Sequence, residues 1–435
     1  MTKEEKAMKL TKISSILLLG AFSLSTVSPV MAQVARGPQG LQTKTITLNK
    51  TTFNQSLSGA VGPKVMGYQY VLIKDGQLVT EKAGGLAQTS KDNGPLQMTT
   101  KTPINLGSLQ KFITGTALIN LMENPTKWSP GENKSLKNRL DTPIWGQFPN
   151  LWVDLIPGTN VQCPQIRCIK YRQLLQHRSG FNDKKETNRT VLGFLGDSDG
   201  FLASMYDKRD YSNINFVLTG YLLPAYERPY FLNEIMANAV KQPTLSSRDQ
   251  FVRNQLGVRY REMIFERIFN KMTPKIKPSC DAPNEISATA AYGYASKNDT
   301  NKGSITSLLE TKQHCTGEGG WWMSSRDFAN YVAHFSASNL IVSEAGRNAM
   351  FTEGMPKDDR LVWTSATSDD WMKTHFDMPV IVSSNGVPAN GRTVLIRLPQ
   401  NHYLILFTNS DELSTGDLYN AGVAAFKAGM EHNFS

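Results

Sequence analysis

The spacing of hydrophobic residues changes from strand-like runs at both ends of the chain to a helical period between them. Residues 66–87 form two runs rich in β-forming residues around Asp75-Gly76, a pair typical of tight turns, and this predicts a β-hairpin. Residues 392–410 predict two more strands around Pro399-Gln400-Asn401, and residues 415–430 predict a closing helix. In between, the pattern predicts helices at 108–123, 169–177, 211–224, 258–271 and 324–336.

Strands at both ends with helices between them indicate an α+β fold of two lobes. One antiparallel sheet is built from both termini and flanked by helices, and it carries an inserted, mostly helical lobe at about residues 108–370. Residues 225–257 are more polar and are interpreted as an insertion within that lobe. The seam between two such lobes is a natural place for a ligand cleft.

The first residues have the features of an export signal. Four lysines lie among the first twelve residues, an apolar stretch runs from Ile13 to Val27, and Val30-Met31-Ala32 offers the small residues of a cleavage site. We therefore expect a signal peptide at 1–32 and a mature domain at 33–435, with an uncleaved anchor as the alternative. The mature protein would be periplasmic or secreted and would keep no membrane span.

Composition narrows the list of partners and cofactors. The net charge is +10, but the basic residues are scattered, so no nucleic-acid surface is expected. The six histidines lack paired metal-binding spacing, so we expect no metal. Four cysteines after an export signal suggest two disulfides, most simply Cys163–Cys168 and Cys280–Cys315, with the other two connectivities left open.

The stretch NLGSLQKFITGTAL, residues 105–118, places a serine and a lysine three residues apart where a helix begins. Helical spacing puts Ser108 and Lys111 on one face, one turn apart. A serine hydroxyl is a poor nucleophile until a neighbouring base takes its proton, and an amine can do this or tune the group that does. The alternative is that Ser108 caps the helix and Lys111 is a solvated charge.

Two further stretches offer partners for this pair. Tyr211-Ser212-Asn213 lies where a loop meets an apolar helix. The Asn213 amide can hold the lysine and a substrate. A tyrosine acts as a general base only where nearby cations lower its pKa. In residues 383–399, a glycine at the rim of a strand lets a substrate lie against the backbone, and the next N–H can join that of the serine as an oxyanion hole. Taken alone, these stretches also fit a capping asparagine beside a half-buried tyrosine, and an Asn-Gly turn before a strand.

A rival nucleophile lies in GDSDG, residues 196–200. This fits the G-x-S-x-G elbow of α/β-hydrolases, with Ser198 as the nucleophile. That fold needs alternating parallel strands and helices, which the sequence does not show, and two aspartates beside Ser198 would oppose a developing negative charge. We therefore interpret residues 196–200 as a loop.

Together, these motifs resemble those of the β-lactamase-related serine hydrolases, the family of class C β-lactamases, D,D-carboxypeptidases, D-aminopeptidases and esterases. Ser108–Lys111 matches the family's Ser-x-x-Lys, and Tyr211-Ser212-Asn213 matches its Tyr-x-Asn. Residues 171–183 and 317–332 are similar to two further family segments, and the opening hairpin is similar to its first two strands. The order of the motifs covers most of the mature chain, which makes the resemblance more specific than any single motif.

The resemblance implies a β-lactamase/transpeptidase-like fold and an acyl-enzyme on Ser108. Tyr211, supported by Lys111 and Asn213, would carry the proton, and the backbone N–H groups of Ser108 and Val387 would hold the oxyanion. The implied substrates are small esters, amides or peptides, including compounds derived from the cell wall, and the implied reaction needs no cofactor.

One motif departs from the family pattern. The third family motif begins with Lys or His, then any residue, then Gly, and the matching place here is Ser384-Asn385-Gly386, the predicted substrate-binding segment. In the family the cation favours the charged form of the tyrosine and attracts a substrate carboxylate, so its loss weakens the expectation of β-lactam or D-Ala-D-Ala substrates. The alternative to an enzyme is therefore a non-catalytic binding protein of the same fold, against which the intact Ser108, Lys111, Tyr211 and Asn213 count.

Overall fold

The computed structural model describes residues 47–153, 165–182, 200–305, 315–352, 360–363, 365–376, 380–388 and 390–431. The predicted signal peptide, Cys163 and the rival nucleophile Ser198 lie outside the described residues. The strands are β1 Gly67–Lys74, β2 Gln77–Gln88, β3 Leu96–Gln97, β4 Ile104–Asn105, β5 Trp322–Met323, β6 Ser365–Ser368, β7 Val380–Gly386, β8 Arg392–Leu398 and β9 His402–Thr408.

The described α-helices range in length from four to 23 residues. They are α1 Lys50–Val61, α2 Lys111–Glu123, α3 Leu136–Leu140, α4 Asn150–Val153, α5 Tyr171–Leu175, α6 Ile214–Glu227, α7 Pro229–Ala239, α8 Leu245–Arg267, α9 Ala282–Glu285, α10 Ser325–Ala337, α11 Glu344–Thr352, α12 Asp370–Phe376 and α13 Thr415–Glu431. Within the described part of the chain, no helix combines the length and the apolar character needed to cross a bilayer.

A seven-stranded antiparallel sheet joins the two ends of the described chain, in the order β3-β2-β1-β9-β8-β7-β6. The β1–β2 hairpin turns at Asp75 and Gly76, whose φ angles of 49° and 74° fit the type I′ turn that the Asp-Gly pair predicts. On its other edge β1 pairs with β9. The predicted α+β fold, with one antiparallel sheet built from both termini, is confirmed.

Each face of the sheet packs against different helices. Successive side chains of a strand point to opposite faces, so Tyr70 and Leu72 of β1 join one apolar cluster while Val71 and Ile73 join another. The first cluster is closed by α1 and α13, which pack on each other, and the second is closed by α10, which packs on β1 and β9. The second cluster continues into the helical part of the molecule, so one face of the sheet supports the helices that carry the site.

Helix α2 is the centre of that helical part. All of its residues from Lys111 to Met122 are buried, which is typical of a core helix, and it packs against α6 and α8. A 3₁₀ turn, Gly107–Gln110, precedes it. Ser108 therefore lies in this 3₁₀ turn, one turn earlier than the α-helix in which its spacing placed it.

Helix α8 begins well before the predicted start at residue 258. Thr244 and Ser247 form a capping box, and Val252, Leu256 and Tyr260 then face the core one turn apart. Residues 225–257 thus contain the end of α6, all of α7 and the first half of α8. Their interpretation as an insertion, and the bounds of the lobe, stay predictions.

One of the two predicted disulfides lies within the described residues. Cys280 and Cys315 are joined across 35 residues of chain, as predicted. The bond ties the strand-like segment at Ser279, which bridges to Trp322, to the loop that leads into β5.

Candidate active site

Ser108 lies in a tight turn between β4 and α2. The Asn105 side chain accepts a hydrogen bond from the Gly107 N–H at 2.7 Å. Gly107 has a φ angle of 52°, which glycine adopts at little cost, and a Cβ there would lie 2.7 Å from the backbone nitrogen of Pro388. The turn therefore presents Ser108 directly beneath the segment that follows β7.

Lys111 is fully buried, and oxygen atoms surround its ammonium group. Nζ donates to Ser108 Oγ at 2.8 Å, to Asn213 Oδ1 at 2.9 Å and to the Glu318 carbonyl oxygen at 3.2 Å. A buried ammonium is costly unless its N–H groups are hydrogen-bonded, and these three contacts match its three donors. The alternative of a solvated lysine beside a capping serine does not hold, because Gln110 occupies the N-cap position.

Tyr211 approaches the same hydroxyl from the open side of the cleft. Its Oη lies 2.9 Å from Ser108 Oγ and 3.3 Å from Asn213 Oδ1, and the residue is 41% exposed. Asn213 stands at the N-cap of α6 but makes no capping hydrogen bond, because its amide oxygen accepts from Lys111 instead. The Tyr211 oxygen and the Lys111 nitrogen thus converge on one hydroxyl, and either group can take up its proton when it is itself deprotonated.

A buried histidine lies behind Tyr211. The His177 ring stacks on the Tyr211 ring with centroids 4.4 Å apart, and its Nδ1 lies 3.1 Å from the Ser212 carbonyl oxygen. Burial, with the charges of Lys111 and Arg209 adding to it, holds the pKa of His177 well below its ordinary value, so the ring is neutral at neutral pH. The sequence reading included His177 in the family-like segment 171–183 but gave it no role.

The β7 side of the cleft is held by backbone contacts. A Cβ on Gly386 would overlap the Leu106 carbonyl oxygen and lie 2.7 Å from the Leu109 nitrogen, so only glycine lets β7 lie against the serine turn. Thr393 Oγ1 on β8 donates to the same Leu106 oxygen at 2.7 Å. Val387, half exposed, follows the strand beside Gly107.

Ser384 and Asn385 lie further back on β7, paired with Leu395 and Val394 of β8. Ser384 is fully buried, and its hydroxyl has no hydrogen-bond partner among the described residues. Asn385 is partly exposed. The structure therefore brings the third motif beside Ser108 through Gly386 and Val387, while the Ser384 hydroxyl takes no part in the Ser108–Lys111–Tyr211–Asn213 hydrogen bonds.

The loop after Cys315 supplies the Glu318 carbonyl to Lys111. A Cβ on Gly317 would overlap the Phe216 carbonyl oxygen of α6, and Thr114 Oγ1 of α2 donates to the Gly317 carbonyl oxygen at 2.7 Å. Glycine therefore lets this loop pass between the two helices. The sequence reading missed Glu318 because it acts through its backbone carbonyl, which every residue type has.

The described residues contain no group of three or more His, Cys, Asp or Glu side chains close enough to hold a metal ion. The expectation that no metal or cofactor is needed stays an expectation.

Comparison with known proteins bears on the family and the fold. Residues 53–247 match the Beta-lactamase family model, and no curated protein sequence matches the chain. FmtA from Staphylococcus aureus is 15% identical, with a TM-score of 0.59, over 90% of this chain and 94% of its own. The D-alanine carboxypeptidase AmpC from Burkholderia cenocepacia is 14% identical, with a TM-score of 0.58, over 87% of this chain and 99% of its own.

A third solved structure extends the comparison. The D-amino acid amidase from Ochrobactrum anthropi SV3 is 17% identical, with a TM-score of 0.54, over 88% of this chain and 99% of its own. At these identities the structures establish the β-lactamase-like fold. With the family match, they confirm the predicted resemblance.

Proposed function

With a Beta-lactamase family match over residues 53–247 as the premise, we propose that the protein is an exported serine hydrolase that forms an acyl-enzyme on Ser108. One observation carries the proposal: Ser108 Oγ lies 2.8 Å from Lys111 Nζ and 2.9 Å from Tyr211 Oη. Either partner, in its deprotonated form, can take the proton of the hydroxyl, so this placement supports Ser108 as the nucleophile.

In the first half of the reaction, Ser108 Oγ attacks the acyl carbonyl carbon and its proton passes to the oxygen of Tyr211, which must be deprotonated to accept it. A carbon–oxygen bond to Ser108 forms, the bond to the leaving group breaks, and Tyr211 returns the proton to the leaving alcohol or amine. Hydrogen bonds of Lys111 and Asn213 hold Ser108 Oγ and Tyr211 Oη next to each other. The backbone N–H groups of Ser108 and Val387 stabilise the oxyanion. Water then releases the acyl group by the reverse proton path.

The substrates we propose are small esters, amides or peptides, including compounds derived from the cell wall. Ser384 supplies no cation where the family has one, and its hydroxyl is buried, so a carboxylate on the substrate gains no ion pair there. Ser384, Asn385 and Gly386 would then contact the substrate mainly through the edge of β7. The name of the Ochrobactrum enzyme, a D-amino acid amidase, places D-amino acid amides among the compounds to screen.

The competing proposal is a non-catalytic protein that binds a peptide or a cell-wall fragment in the same cleft. The unpartnered Ser384 hydroxyl favours it, because the third motif lacks the cation that supports the tyrosine in related enzymes. The closed set of hydrogen bonds around Ser108 favours the enzyme.

Treatment with a fluorophosphonate probe, followed by intact-mass measurement, separates the two proposals. We expect one adduct on the mature protein, its loss in Ser108→Ala and its retention in the matched control Ser90→Ala, at an exposed serine in a turn. No adduct would favour the binding protein. An adduct that survives Ser108→Ala and maps to Ser198 would overturn the assignment of the nucleophile.

Substrate preference is tested with Ser384→Lys in protein that has not been treated with the probe. Turnover of esters, D-amino acid amides and β-lactams is compared between the wild type and the variant. If the missing cation sets the preference, β-lactam turnover rises in Ser384→Lys. If it does not rise in folded variant protein, the missing-cation argument fails.

Export is supported by the Cys280–Cys315 disulfide, because such bonds persist in oxidising compartments. We propose a periplasmic or secreted protein cleaved after Ala32. Mass spectrometry of protein recovered outside the cytoplasm should give an N-terminus at Gln33. A chain that keeps residues 1–32 would instead support the anchored alternative.

A further inference from the structure

His177 occupies a backbone position that normally favours glycine. It follows the end of α5 with a φ angle of 55°. Its N–H donates to the Leu174 carbonyl oxygen at 3.1 Å, and the Arg178 N–H donates to the Gln173 carbonyl oxygen at 2.7 Å. These two bonds define a Schellman motif with His177 at C′. A residue with a Cβ costs about 1 kcal/mol there relative to glycine, so the side chain must contribute something that offsets this cost.

The side chain of His177 is held on several sides. Nδ1 lies 3.1 Å from the Ser212 carbonyl oxygen and 3.3 Å from the Ser212 nitrogen, and the Asn215 amide nitrogen lies 3.4 Å from it. The Asn215 amide oxygen accepts in turn from Ser179 Oγ at 2.5 Å. The ring is therefore fixed to the loop that carries Tyr211 and to the first turn of α6.

Tyr211, in contrast, has little to hold it on its open side. The residue is 41% exposed, and the side-chain hydrogen bonds described for it involve the phenol oxygen at the far end of the ring. The His177 ring, 4.4 Å away between centroids and inclined by 30°, stacks against the flat face of the Tyr211 ring. Without this stack the phenol could rotate toward solvent and leave Ser108.

We propose that His177 is a positioning residue, whose ring backs Tyr211 and keeps its phenol oxygen at the Ser108 hydroxyl. This inference rests on the function proposed above. It gives His177 no proton to transfer, since no atom of its ring contacts Ser108. A misplacement of a reacting group by about 1 Å can cost about a hundredfold in rate, which sets the size of the expected effect.

The charges around the ring bear on its behaviour with pH. Lys111 of α2 and Arg209 of the loop before α6 both act on it, Arg178 adjoins it, and Asp210 donates its N–H to the His177 carbonyl oxygen at 2.8 Å. Burial and the two nearby cations disfavour the imidazolium. The ring should therefore stay neutral through the pH range in which the enzyme is assayed, and its removal should not displace the acid limb of the activity profile.

The test compares three variants of the mature protein. His177→Gly and His177→Asn both accept the backbone conformation but lose the ring. His177→Phe keeps a ring and loses Nδ1. The maximal rate of Ser108 labelling by the fluorophosphonate, the probe concentration for half-maximal rate and the thermal midpoint are measured for each, with His402→Asn, a buried histidine of the sheet, as the matched control.

We expect the maximal labelling rate to fall about tenfold to a hundredfold in His177→Gly and His177→Asn, with the half-maximal concentration within about twofold. His177→Phe should recover most of the rate, and His402→Asn should keep all of it. Three results would overturn the proposal: an unchanged rate in folded His177→Gly, a rate in His177→Phe as low as that in His177→Asn, or an acid limb that moves in His177→Phe.

A second measurement does not depend on catalysis. In protein labelled with 3-fluorotyrosine, the ¹⁹F signal of Tyr211, assigned with Tyr211→Phe, should be displaced by the ring current of His177 and should move toward the free amino acid in His177→Gly. If the wild type takes no probe but this signal moves, the proposed hydrolase fails and the positioning role stands for a binding site. If the signal stays in place, the positioning role fails whatever the probe shows.

Discussion

The two walls of the cleft are built in different ways. On the wall formed by α2 and α6, every polar group that meets Ser108 is hydrogen-bonded to another, and Lys111 has an oxygen for each of its three donors. On the β7 wall, Gly386 fits the serine turn through backbone contact, and the Ser384 hydroxyl is buried without a described partner.

Under the proposed function, the first wall would hold the groups that move a proton, and the second would hold the groups that select a substrate. Ser384 supplies no charge to bind a carboxylate, and its hydroxyl makes no hydrogen bond to Lys111 or Tyr211. We therefore expect substitutions on β7 to change substrate preference without disturbing the hydrogen bonds around Ser108.

The largest expected effect comes from a substitution on the first wall, the one formed by α2 and α6. Lys111→Met removes three hydrogen bonds and leaves the Asn213 and Glu318 oxygens without this donor. We expect the rate of fluorophosphonate labelling to fall about a thousandfold, in the range that positioned acid–base groups contribute. Time-resolved intact mass measures it, with the exposed Lys101→Met as the control. A rate within about tenfold of wild type would remove Lys111 from the proposed mechanism.

Acid can act on the protein in two ways: it can lower the unfolding free energy of the sheet, or it can protonate groups of the cleft. The two effects are measured separately. Burial lowers the pKa of His402, at the start of β9, from 6.5 to about 4. Between these values the unfolded chain binds a proton that the folded chain does not, so stability falls with falling pH by about 3 kcal/mol in total. His177 shifts in the same direction and adds to this loss.

Urea unfolding at pH 7, 5.5 and 4.5 tests this expectation. The loss of unfolding free energy should be smaller in His402→Gln than in the wild type. Equal losses in the two proteins would mean that His402 does not set the acid sensitivity of the sheet. The rate of fluorophosphonate labelling is measured at the same pH values. Any loss of rate in protein that is still folded is then assigned to the groups of the first wall.

A smaller effect tests the backbone fit of the second wall. Gly386→Ala forces β7 away from Leu106 and Leu109, and we expect a loss of about 2 kcal/mol in unfolding free energy together with slower labelling. The matched control is Gly59→Ala in α1, where a Cβ meets nothing within 4 Å and the change should stabilise by about 1 kcal/mol. Equal effects at the two sites would contradict the close approach of β7.

The smallest effect concerns the unpartnered hydroxyl. Ser384→Ala removes a buried polar group that has no described partner, so the unfolding free energy should rise by about 1 kcal/mol and the labelling rate should stay within about twofold. Chemical denaturation and the probe assay measure both. A loss of stability would mean that the Ser384 hydroxyl has a hydrogen-bond partner in solution. The two walls would then differ less in how their polar groups are hydrogen-bonded.

Local sequence patterns were enough to predict the elements whose conformation depends mainly on neighbouring residues. The hairpin followed from Asp75-Gly76, and α2 followed from its apolar run, although periodicity could not distinguish the 3₁₀ turn at Ser108 from the helix itself. The first half of α8 was missed because only Val252 and Leu256 mark its buried face among many polar residues. Ser108, Lys111, Tyr211 and Asn213 were placed by motif order, and the structure brings all four together.

The rest of the site depends on contacts between distant parts of the chain. The Glu318 carbonyl has no side-chain signature, and its role appears only when the loop passes between α2 and α6. His177 was visible as a residue, but its value depends on a backbone turn and a ring stack that a helical pattern does not encode. The burial of Ser384 likewise follows from tertiary packing.

The pairing of β1 with β9 has a consequence for biosynthesis. Tyr68 pairs with Thr408, so the first long strand to leave the ribosome waits for nearly the whole chain before its second edge is covered. Loop closure over such a distance is slow, and an uncovered edge invites association with other chains. The turn that carries Ser108 packs against β7 and β8, so it cannot assemble before those strands have been made. Premature termination before β9 should therefore yield aggregation-prone fragments in which the site around Ser108 is not assembled.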